Sequence, residues 1–370
     1  MRITRVRTYV VYGRRRRAFG RVTRTALGPA DVSEHGIVLI ETDAGVTGIG
    51  EMASCFSRRG GLLCHDVEQV LAPLLVGEDP FRIAHLARRM EAALSDSELA
   101  RAGLEMALFD LLGKELGQPV YNLLGGLVRA SVPLSYSIPF GEPEEMAAFG
   151  AERAAGGFRT VKVKVGQEPR RDVEAVRLVR EAIGPDKRLR IDANMAWRSA
   201  KEAVPIIRGM EAYGPELVEQ PLSPRELDAM AEIRRHVAVP IMADESVWNP
   251  RDAMEVIRRG AADVVNVYVS ESGGLLPASR TFSLCELAGI PCMIGSMPEF
   301  GIGTAAQIHL GVAMTNLGYD SDTCGVLYHE EDLLTAPLRI EDGQAWPPTG
   351  PGLGLELDMA VVERWQRPPE

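Results

Sequence analysis

Five short apolar segments in the second half of the chain each end in a residue that can bind a metal, move a proton or donate a hydrogen bond. The segments are VKVKV (161–165), LRID (189–192), ELVE (216–219), IMAD (241–244) and VVNVYVS (264–270), with the polar residues Lys164, Asp192, Glu219, Asp244 and Tyr268 at their ends. The three carboxylates lie 27 and 25 residues apart, which is about the length of one strand–helix unit of a parallel barrel. Because functional side chains of such barrels lie at the carboxyl ends of the strands, we expect these residues to converge on one site.

Strand-like and helix-like segments alternate along the chain from about residue 132. Strands are predicted near 132–138, 159–165, 188–192, 216–219, 240–244, 263–269, 290–295 and 318–321, and helices near 143–155, 169–183, 198–213, 224–235, 250–259, 274–288 and 301–315. Eight strands and seven helices favour an α/β fold of the (β/α)7β barrel type over an open, doubly wound sheet. An open sheet of that kind usually carries a glycine-rich phosphate loop after its first strand, and the sequence has none there.

The first third of the chain has a different pattern. A strand is predicted at Ile3–Tyr12 and a hairpin over 36–51, followed by helices within 64–75, 81–93 and 97–116. Strands followed by helices, without alternation, indicate a separate α+β unit. We therefore expect an α+β domain over residues 1–125 and a barrel over 126–323, with a proline-containing tail from 324 to 370 that packs back onto the first domain.

Composition narrows the classes of partner. The net charge of −10 makes the acidic chain a poor nucleic-acid binder. No run of about 18 apolar residues predicts a membrane span, and five scattered cysteines without a CxxC pair indicate a reduced, cytoplasmic protein. The one basic run, Arg14–Arg17, is interpreted as a solvated loop or as a mobile arm that meets an anionic substrate, with nucleic-acid contact least favoured.

The three strand-end carboxylates predict a metal site. Taken singly, Asp192, Glu219 or Asp244 would be explained by a helix cap or a salt bridge, but three that converge would repel one another unless they hold a cation. Oxygen ligands suit a hard cation, with Mg²⁺ expected first and Mn²⁺ as the alternative. Asn194 and Glu245 are expected to orient the ligands or to hold a lysine.

Two lysines on one strand predict proton transfer. Lys162 and Lys164 are two residues apart, so both point to the same face of the strand. Inside a barrel that face is buried, and two ammonium groups there need carboxylates nearby. Mutual repulsion and desolvation are expected to lower a lysine pKa towards neutrality, as a general base requires. We assign proton transfer to Lys164, which lies nearer the strand end, and electrostatic support of the substrate oxyanion or metal region to Lys162.

The ordered motifs K-x-K, D-x-N, E-Q-P and D-E-S resemble those of the enolase superfamily, specifically its muconate lactonizing enzyme subgroup. The resemblance spans the whole chain: ETDAGVTGIGE (41–51) is similar to the capping domain of that family, and SMPEFGIGTAA (296–306) to its seventh-strand region. It implies a Mg²⁺ site made by Asp192, Glu219 and Asp244, which binds a substrate carboxylate and stabilises the enediolate formed when the α-proton leaves.

The resemblance also implies that the N-terminal unit is a capping domain whose loops select the substrate, near 14–33 and 52–62. The expected partner is therefore a small-molecule carboxylate. Proteins of this family often assemble as dimers or octamers, so the resemblance implies a homo-oligomer.

One residue departs from the family pattern. The subgroup usually places a second lysine at the end of the sixth strand, where this chain has Tyr268, and no lysine follows Lys201. Tyrosine has a reference pKa near 10 and an anionic base form, so it is better suited to donating a proton or a hydrogen bond. The leading hypothesis is one-base syn-dehydration by Lys164 of a hydroxylated amino or imino acid such as cis-3-hydroxy-L-proline.

Three alternatives stay open. Lys164 and Tyr268 paired as acid and base would give a racemase or epimerase of amino acids, proline betaine or dipeptides. A cycloisomerase shares most of the predicted site. In the third alternative the protein is not an enzyme but a non-catalytic, metal-binding barrel.

Five further residues are predicted to contact substrate. They are Asn266 beside Tyr268, Glu299 after the seventh strand, His35 beside the first mobile loop, and Asp320 and Asp322 near the eighth strand. The last two form a D-x-D motif that resembles that of the family's dipeptide epimerases, which implies contact with an α-ammonium group. A loop, cap or packing role is the structural alternative for each of the five.

Overall fold

The computed structural model of the protein describes residues 1–26, 28–54 and 59–368. We call the described part of residues 1–125 the cap. The strands of the cap are β1 (Ile3–Arg14), β2 (Thr23–Thr25), β3 (Gly28–Ala30), β4 (Val32–Thr42) and β5 (Thr47–Met52). Its main sheet is antiparallel, with strand order β1-β4-β5, and β2 and β3 form a separate hairpin. Its helices are α1 (Gly60–Asp66), α2 (Ala72–Leu75), α3 (Ile83–Ala93), α4 (Glu98–Leu116) and α5 (Val120–Leu123), with a π-helical turn at Val67–Leu71.

The long helix α4 packs directly on strand β5 of the cap. A Cβ atom on Gly48 or Gly50 would overlap the backbone carbonyls of Ala107 and Gly103 in α4. Only glycine permits this close approach of strand and helix. The helix ends at Gly117, whose φ of 64° gives the left-handed conformation that commonly terminates helices.

The rest of the fold is the predicted barrel. Its strands are β7 (Ser135–Ile138), β8 (Thr160–Lys164), β9 (Arg188–Asp192), β10 (Val218–Glu219), β11 (Ile241–Ala243), β12 (Val264–Val267) and β13 (Cys292–Ile294), preceded by the short β6 (Val132–Pro133). Its helices are α6 (Pro143–Ala155), α7 (Pro169–Ile183), α8 (Ala200–Glu211), α9 (Leu227–His236), α10 (Pro250–Arg259), α11 (Val269–Ser272), α12 (Leu275–Leu287) and α13 (Gly301–Ala313). Strands β7 to β13 pair in chain order and in parallel. The fold-class prediction is confirmed.

The register of the barrel sheet aligns the predicted site residues. Lys164 of β8 pairs with Asp192 of β9, and Asp192 pairs with Glu219 of β10. The three residues therefore form one row at the carboxyl ends of neighbouring strands, where side chains from parallel strands meet.

The eighth strand, predicted near 318–321, is not a regular strand. The segment bonds to its neighbours through isolated parallel bridges, from Leu317 to Cys292 on one side and from Ser321 to Leu134 on the other. Ser321 interrupts the ladder because its side-chain oxygen, in place of a backbone carbonyl, accepts the N–H of Ile294 at 3.1 Å. The barrel is nevertheless closed, since this segment contacts both its first and its last strand.

The tail, residues 324–368, returns to the cap. The N–H of Tyr12 donates to the carbonyl of Trp365 at 2.8 Å, and the N–H of Val120 to that of Gly352 at 2.9 Å. The elements of the tail are a 3₁₀ turn (Gly325–Tyr328), β14 (Ile340–Glu341), β15 (Gln344–Ala345) and α14 (Met359–Arg364). Within the described residues, no helix combines the length and the apolar character needed to cross a membrane.

Candidate active site

A cavity of about 330 Å³ lies between the cap and the carboxyl ends of the barrel strands. Its floor contains eight of the predicted site residues, and its outer wall comes from the segment that joins β1 to β4. The floor residues include Lys162, Lys164, Asp192, Asn194, Asp244, Glu245, Tyr268 and Asp322. Residues within 15–26 and 28–34, together with Ser54, line the wall on the cap side. They belong to the two loops that are predicted to select the substrate; residues 55–58 of the second loop lie outside the described residues.

Lys162 lies in the middle of the acidic floor. Its Nζ is 2.9 Å from Oε2 of Glu219 and 3.5 Å from Oδ2 of Asp192, and it also bonds Asp322. Burial opposes the charge of Lys162, but the carboxylates of Asp322, Glu219 and Asp192 together raise its pKa well above 10.5. Lys162 is therefore a fixed positive charge.

Lys164 is placed nearer the cavity. Its Nζ donates to Oδ2 of Asp192 at 2.5 Å and to Oδ1 of Asn194 at 2.7 Å. Burial again favours the neutral amine, but Asp192 outweighs it and the pKa of Lys164 is raised from 10.5. The expectation that repulsion and desolvation lower a lysine pKa is wrong for this arrangement, because several carboxylates surround only two lysines.

Asp244 differs from the other floor aspartates in having no lysine partner among the described residues. Burial and the carboxylates of Glu245 and Glu219 raise the pKa of Asp244 well above its ordinary value. Among the described residues it forms no salt bridge, whereas Asp192 and Glu219 both pair with Lys162. Burial, followed by Asp192, raises the pKa of Glu245 to about 7, and its Oε1 accepts from Nδ2 of Asn194 at 3.0 Å.

The donor set fits a divalent cation in its chemistry. Within residues 1–26, 28–54 and 59–368, no three acidic, histidine or cysteine side chains already surround a common metal position, because the two lysines lie between the carboxylates. Yet Asp192, Glu219 and Asp244 are hard oxygen donors on three successive strands, and the carboxylates outnumber the ammonium groups. A buried excess of negative charge of this kind is neutralised either by protonation, which the raised pKa of Asp244 reflects, or by a further cation. Asp192, Glu219 and Asp244 are the residues that would hold it.

Tyr268 lies on the side of the site opposite Lys164, because it directly follows β12, which is four strands away from β8 in the barrel order. Its hydroxyl donates to Oδ2 of Asp244 at 3.2 Å. Burial, then Asp244 and Glu219, raise the pKa of Tyr268 well above 10. A Cβ on Gly295 would overlap the Tyr268 ring, so the glycine on the next strand provides the space that this ring fills.

Asp320 is not part of the cavity, contrary to the prediction. Its carboxylate accepts from Nε of Arg159 at 2.7 Å and from the hydroxyl of Thr160 at 2.7 Å. These partners lie at the amino end of β8, whereas Lys164 and the cavity lie at its carboxyl end. Asp322 does line the cavity, where Lys162 and Ser135 bind its carboxylate, so the two residues of the motif have separate roles.

Three other predicted contacts are buried beside the cavity but do not line it. His35 is fully buried and its Nδ1 lies 2.8 Å from Oε1 of Glu51. Both carboxylate oxygens of Glu299 are bound within its own loop, by the hydroxyl of Ser296 at 2.6 Å and by the N–H of Met297 at 3.0 Å. Asn266 lies under the floor, with Nδ2 at 3.4 Å from Glu219. Their hydrogen bonds therefore support the site from behind.

Residues that the sequence did not single out also shape the site. Gln220, directly after Glu219, accepts the N–H groups of Asp244 at 2.8 Å and Ser246 at 3.2 Å through Oε1, and so orients the next strand end. The aromatic wall consists of Tyr136, Phe149 and Tyr328. The E-Q-P motif contained the signal for Gln220, but the wall brings together residues nearly 200 positions apart, for which one sequence offers no pairing signal.

Comparison with known protein families agrees with this geometry. Residues 8–125 match the model of the mandelate racemase/muconate lactonizing enzyme N-terminal domain, and residues 145–361 match the enolase C-terminal domain-like model. The family uses a divalent metal, which is consistent with the carboxylates of the floor.

Individual proteins are similar over most of the chain. Muconate cycloisomerase 1 of Rhodococcus opacus is 35% identical over 339 residues, 90% of this chain and 90% of that protein. A hydrophobic dipeptide epimerase of Enterococcus faecalis is 36% identical over 295 residues, 79% of this chain and 83% of that protein. The crystal structure of a muconate lactonizing enzyme from Pseudomonas fluorescens, complexed with muconolactone, matches with a TM-score of 0.94 at 30% identity and covers 99% of both chains. This chain therefore belongs to the muconate lactonizing enzyme subgroup of the enolase superfamily and is an enzyme of that superfamily.

Proposed function

We propose that this enzyme transfers a proton at the carbon next to a substrate carboxylate with a single base, Lys164, on one face of that carbon. The observation that carries the proposal is Tyr268, whose hydroxyl proton is directed at Asp244 from the opposite side of the barrel. A buried neutral phenol in this position donates a hydrogen bond but does not accept an α-proton. Chemistry that needs a second base is therefore disfavoured.

Asp192, Glu219 and Asp244 are proposed as ligands of Mg²⁺, with Mn²⁺ as the alternative. When bound, the cation would stabilise negative charge on the substrate carboxylate and would compete with both lysines for these carboxylates. Lys162 keeps a positive charge beside this position because three carboxylates surround it. Asn194 holds Lys164 on one side and Glu245 on the other, which fixes the direction of the lysine side chain.

Syn β-elimination of water suits one base, and a hydroxylated amino or imino acid such as cis-3-hydroxy-L-proline is the first substrate to test. With Asp192 bound to the cation, the charge that keeps Lys164 protonated would be reduced. The neutral amine of Lys164 then takes the proton from Cα, and the C–H electron pair forms the Cα=Cβ bond. The Cβ–O bond breaks at the same face, and the new ammonium returns its proton to the leaving hydroxide, which gives water. The same side chain serves as acid and base, so Tyr268 need not ionise.

Cycloisomerisation is the second candidate, and two observations favour it. A muconate cycloisomerase is among the similar proteins, and four arginines line the cavity. In this reaction an internal carboxylate adds to Cβ and Lys164 donates a proton to Cα, which is a one-face addition that again uses one lysine. Epimerases are also among the similar proteins, but inversion needs groups on both faces.

Proton NMR in D₂O with the Mg²⁺-loaded enzyme tests the proposal, with hydroxyprolines, other β-hydroxy acids, cis,cis-muconate and dipeptides as substrates. Lys164→Ala is expected to lower the rate by about 100- to 10,000-fold, whereas Tyr268→Phe keeps the rate of elimination or addition within about tenfold. Tyr319→Phe is the matched control, because Tyr319 is a half-buried tyrosine that does not line the cavity. Exchange with inversion that disappears in Tyr268→Phe would overturn the one-base proposal.

A further inference from the structure

The segment between β1 and β4 places arginines at the outer end of the cavity. We call its described residues, 15–26 and 28–31, the arm. Arg15, Arg16 and Arg17 all line the cavity. The backbone of the arm is fixed at this point, since the N–H of Arg15 donates to the carbonyl of Asp31 at 2.9 Å and that of Arg16 to Tyr328 at 2.8 Å.

The arginines of the arm differ in the groups that their side chains contact. Arg21 forms a bidentate salt bridge to Glu145 of α6, with N–O distances of 2.8 and 2.5 Å. The guanidinium of Arg15 lies over the Tyr328 ring, 5.8 Å from its centre. Arg16 and Arg17, in contrast, form no salt bridge to any residue that the structure describes. Two positive charges thus face the cavity without a protein carboxylate.

Other groups show that the outer cavity is electropositive. Burial raises the pKa of Tyr136 to about 12, and the charges of Arg153, Arg16 and Arg15 oppose that rise. Arg153 lies over the same ring, 5.2 Å from its centre, and itself lines the cavity. The cavity therefore has an acidic floor, where the metal ligands are proposed, and a basic outer end, where four lining arginines outnumber the one lining carboxylate, Glu34.

We infer that the substrate carries a second anionic group, which Arg16 and Arg17 bind at the outer end of the cavity while the reacting carboxylate lies at the floor. The inference rests on the proposed function for the position of the reacting carboxylate. Guanidinium groups are suited to this role because their planar N–H donors pair with carboxylate or phosphate oxygens. A dianion would match both ends of the cavity, whereas a substrate with one carboxylate, such as cis-3-hydroxy-L-proline, would leave Arg16 and Arg17 unpaired. Within the one-base proposal the inference therefore favours a dicarboxylate, such as the muconate of the second candidate reaction.

Two contacts hold the arm so that its arginines face inward. The Phe19 ring packs edge-on against Phe149 of α6, with the ring centres 5.5 Å apart. Arg21 lies over the same Phe19 ring at 5.3 Å while it pairs with Glu145. Both contacts are made to one barrel helix, so the outer wall keeps a defined position relative to the barrel floor.

Calorimetric binding of unreactive ligands to the Mg²⁺-loaded protein tests the inference. Adipate and hexanoate have the same number of carbons but two and one carboxylates, and a series from succinate to pimelate measures the spacing of the two anion sites. Adipate is expected to bind at least tenfold more tightly than hexanoate. Arg16→Gln/Arg17→Gln is expected to weaken adipate binding by about 10- to 100-fold and hexanoate binding by less than about twofold.

The control is Arg5→Gln/Arg14→Gln, which removes the same charge from exposed positions of β1 that do not line the cavity. An adipate preference that survives the Arg16/Arg17 change, or that falls equally in the control, overturns the inference. Comparison of 3-phosphonopropionate with succinate distinguishes a phosphoryl from a carboxylate group: the ligand that loses more affinity in the double variant identifies the preferred anion.

The result is independent of the one-base mechanism, because adipate has no leaving group and no turnover is measured. Conversely, efficient dehydration of cis-3-hydroxy-L-proline that is insensitive to Arg16→Gln/Arg17→Gln would overturn the second anion site and leave the one-base proposal intact. The two proposals therefore fail in different experiments.

Discussion

The cap meets the barrel through two regions that differ in burial and in the chemistry of their contacts. In the first region, fully buried carboxylates of the cap accept backbone N–H groups at the amino ends of barrel helices. In the second, the arm touches α6 through exposed or half-buried side chains. Of the two regions, only the arm lines the cavity among the described residues, and the two impose different degrees of constraint on it.

The buried region acts as a fixed scaffold. Glu51 accepts the N–H groups of Phe300 and Gly303, both at 2.8 Å, at the start of α13. Glu105 likewise accepts the N–H groups of Leu275 and Leu276 at the start of α12, although burial raises its pKa to about 8. A carboxylate in this position satisfies helix-terminal donors and interacts favourably with the helix dipole.

The arm forms an adaptable wall instead. Its salt bridge between Arg21 and Glu145 is solvent-exposed, and its principal ring contact is the single pair Phe19–Phe149. Exposed ion pairs contribute little to stability and are screened by salt. The difference indicates that the floor and inner wall tolerate little change, whereas the arm can vary with the substrate while the fold is retained.

The largest expected effect comes from breaking the scaffold at Glu51. Glu51→Ala leaves two helix N–H groups and the buried His35 without their partner, so the free energy of unfolding should fall by about 3–5 kcal/mol. Urea unfolding measures this loss, and Glu51→Gln, which keeps one acceptor, should lose less. A loss below about 1 kcal/mol in Glu51→Ala would show that the scaffold does not depend on this carboxylate.

A pair of glycine substitutions compares the two regions directly. Gly274 has a φ of 133°, and a Cβ there would overlap the Glu105 carboxylate, whereas Gly20 in the arm has a φ of 70° and nothing within 4 Å. Gly274→Ala should lower the free energy of unfolding by about 2–4 kcal/mol, since strain and overlap add. Gly20→Ala should lose about 1 kcal/mol from backbone strain alone. Equal losses would remove the distinction between scaffold and arm.

His309 makes another buried contact between the barrel and the cap sensitive to acid. Its Nδ1 accepts the N–H of Tyr121 at 3.3 Å and its Nε2 donates to the carbonyl of Leu353 at 3.1 Å, an arrangement that requires the neutral ring. Burial lowers the pKa of His309 from 6.5 to about 4. Because the unfolded chain binds this proton first, its contribution is complete above pH 6.5 and is lost as the pH falls towards 4.

The full loss from His309 approaches about 3 kcal/mol, at roughly 1.4 kcal/mol for each pKa unit. Urea unfolding at pH 7.5 and pH 4.5 measures the change in stability. His309→Gln should flatten this pH dependence by a comparable amount, and His65→Gln, at an exposed position, should not alter it. An unchanged slope in His309→Gln would assign the acid sensitivity to other groups.

The barrel and the row of strand-end residues were predictable because both follow from periodicity. Apolar segments of constant spacing give the barrel, and a polar residue at each segment end gives the row from Lys164 to Glu219. The position of Asp320 outside the cavity was not predictable, because its pairing with Arg159 depends on how two distant segments meet at the opposite end of the barrel. His35 was misplaced for a different reason, because the sequence does not show that its side chain turns to Glu51 on the neighbouring strand rather than into the cavity.

The lysine pKa prediction failed for a physical reason that also concerns long-range contacts. The sequence shows two lysines on one strand, but their ionisation depends on how many carboxylates other strands bring within reach. Asp322, from the irregular eighth segment, is the additional partner that holds the charge of Lys162. The homo-oligomer and the domain boundaries at 125/126 and 323/324 stay predictions, because they concern surfaces and linkers rather than the barrel repeat.

The smallest expected effect on stability comes from the arm. Arg21→Ala removes an exposed salt bridge that lowers the pKa of Glu145 to about 2, and the midpoint of urea unfolding should not change. KM should instead rise by about threefold with kcat unchanged, because the arm then holds Arg16 and Arg17 less firmly over the cavity. Arg7→Ala is the matched control, since Arg7 pairs with Glu41 inside the cap. In about 0.5 M salt, where exposed pairs are screened, the wild-type KM should approach that of Arg21→Ala, and a KM that is insensitive to both changes would show that the arm does not position the outer wall.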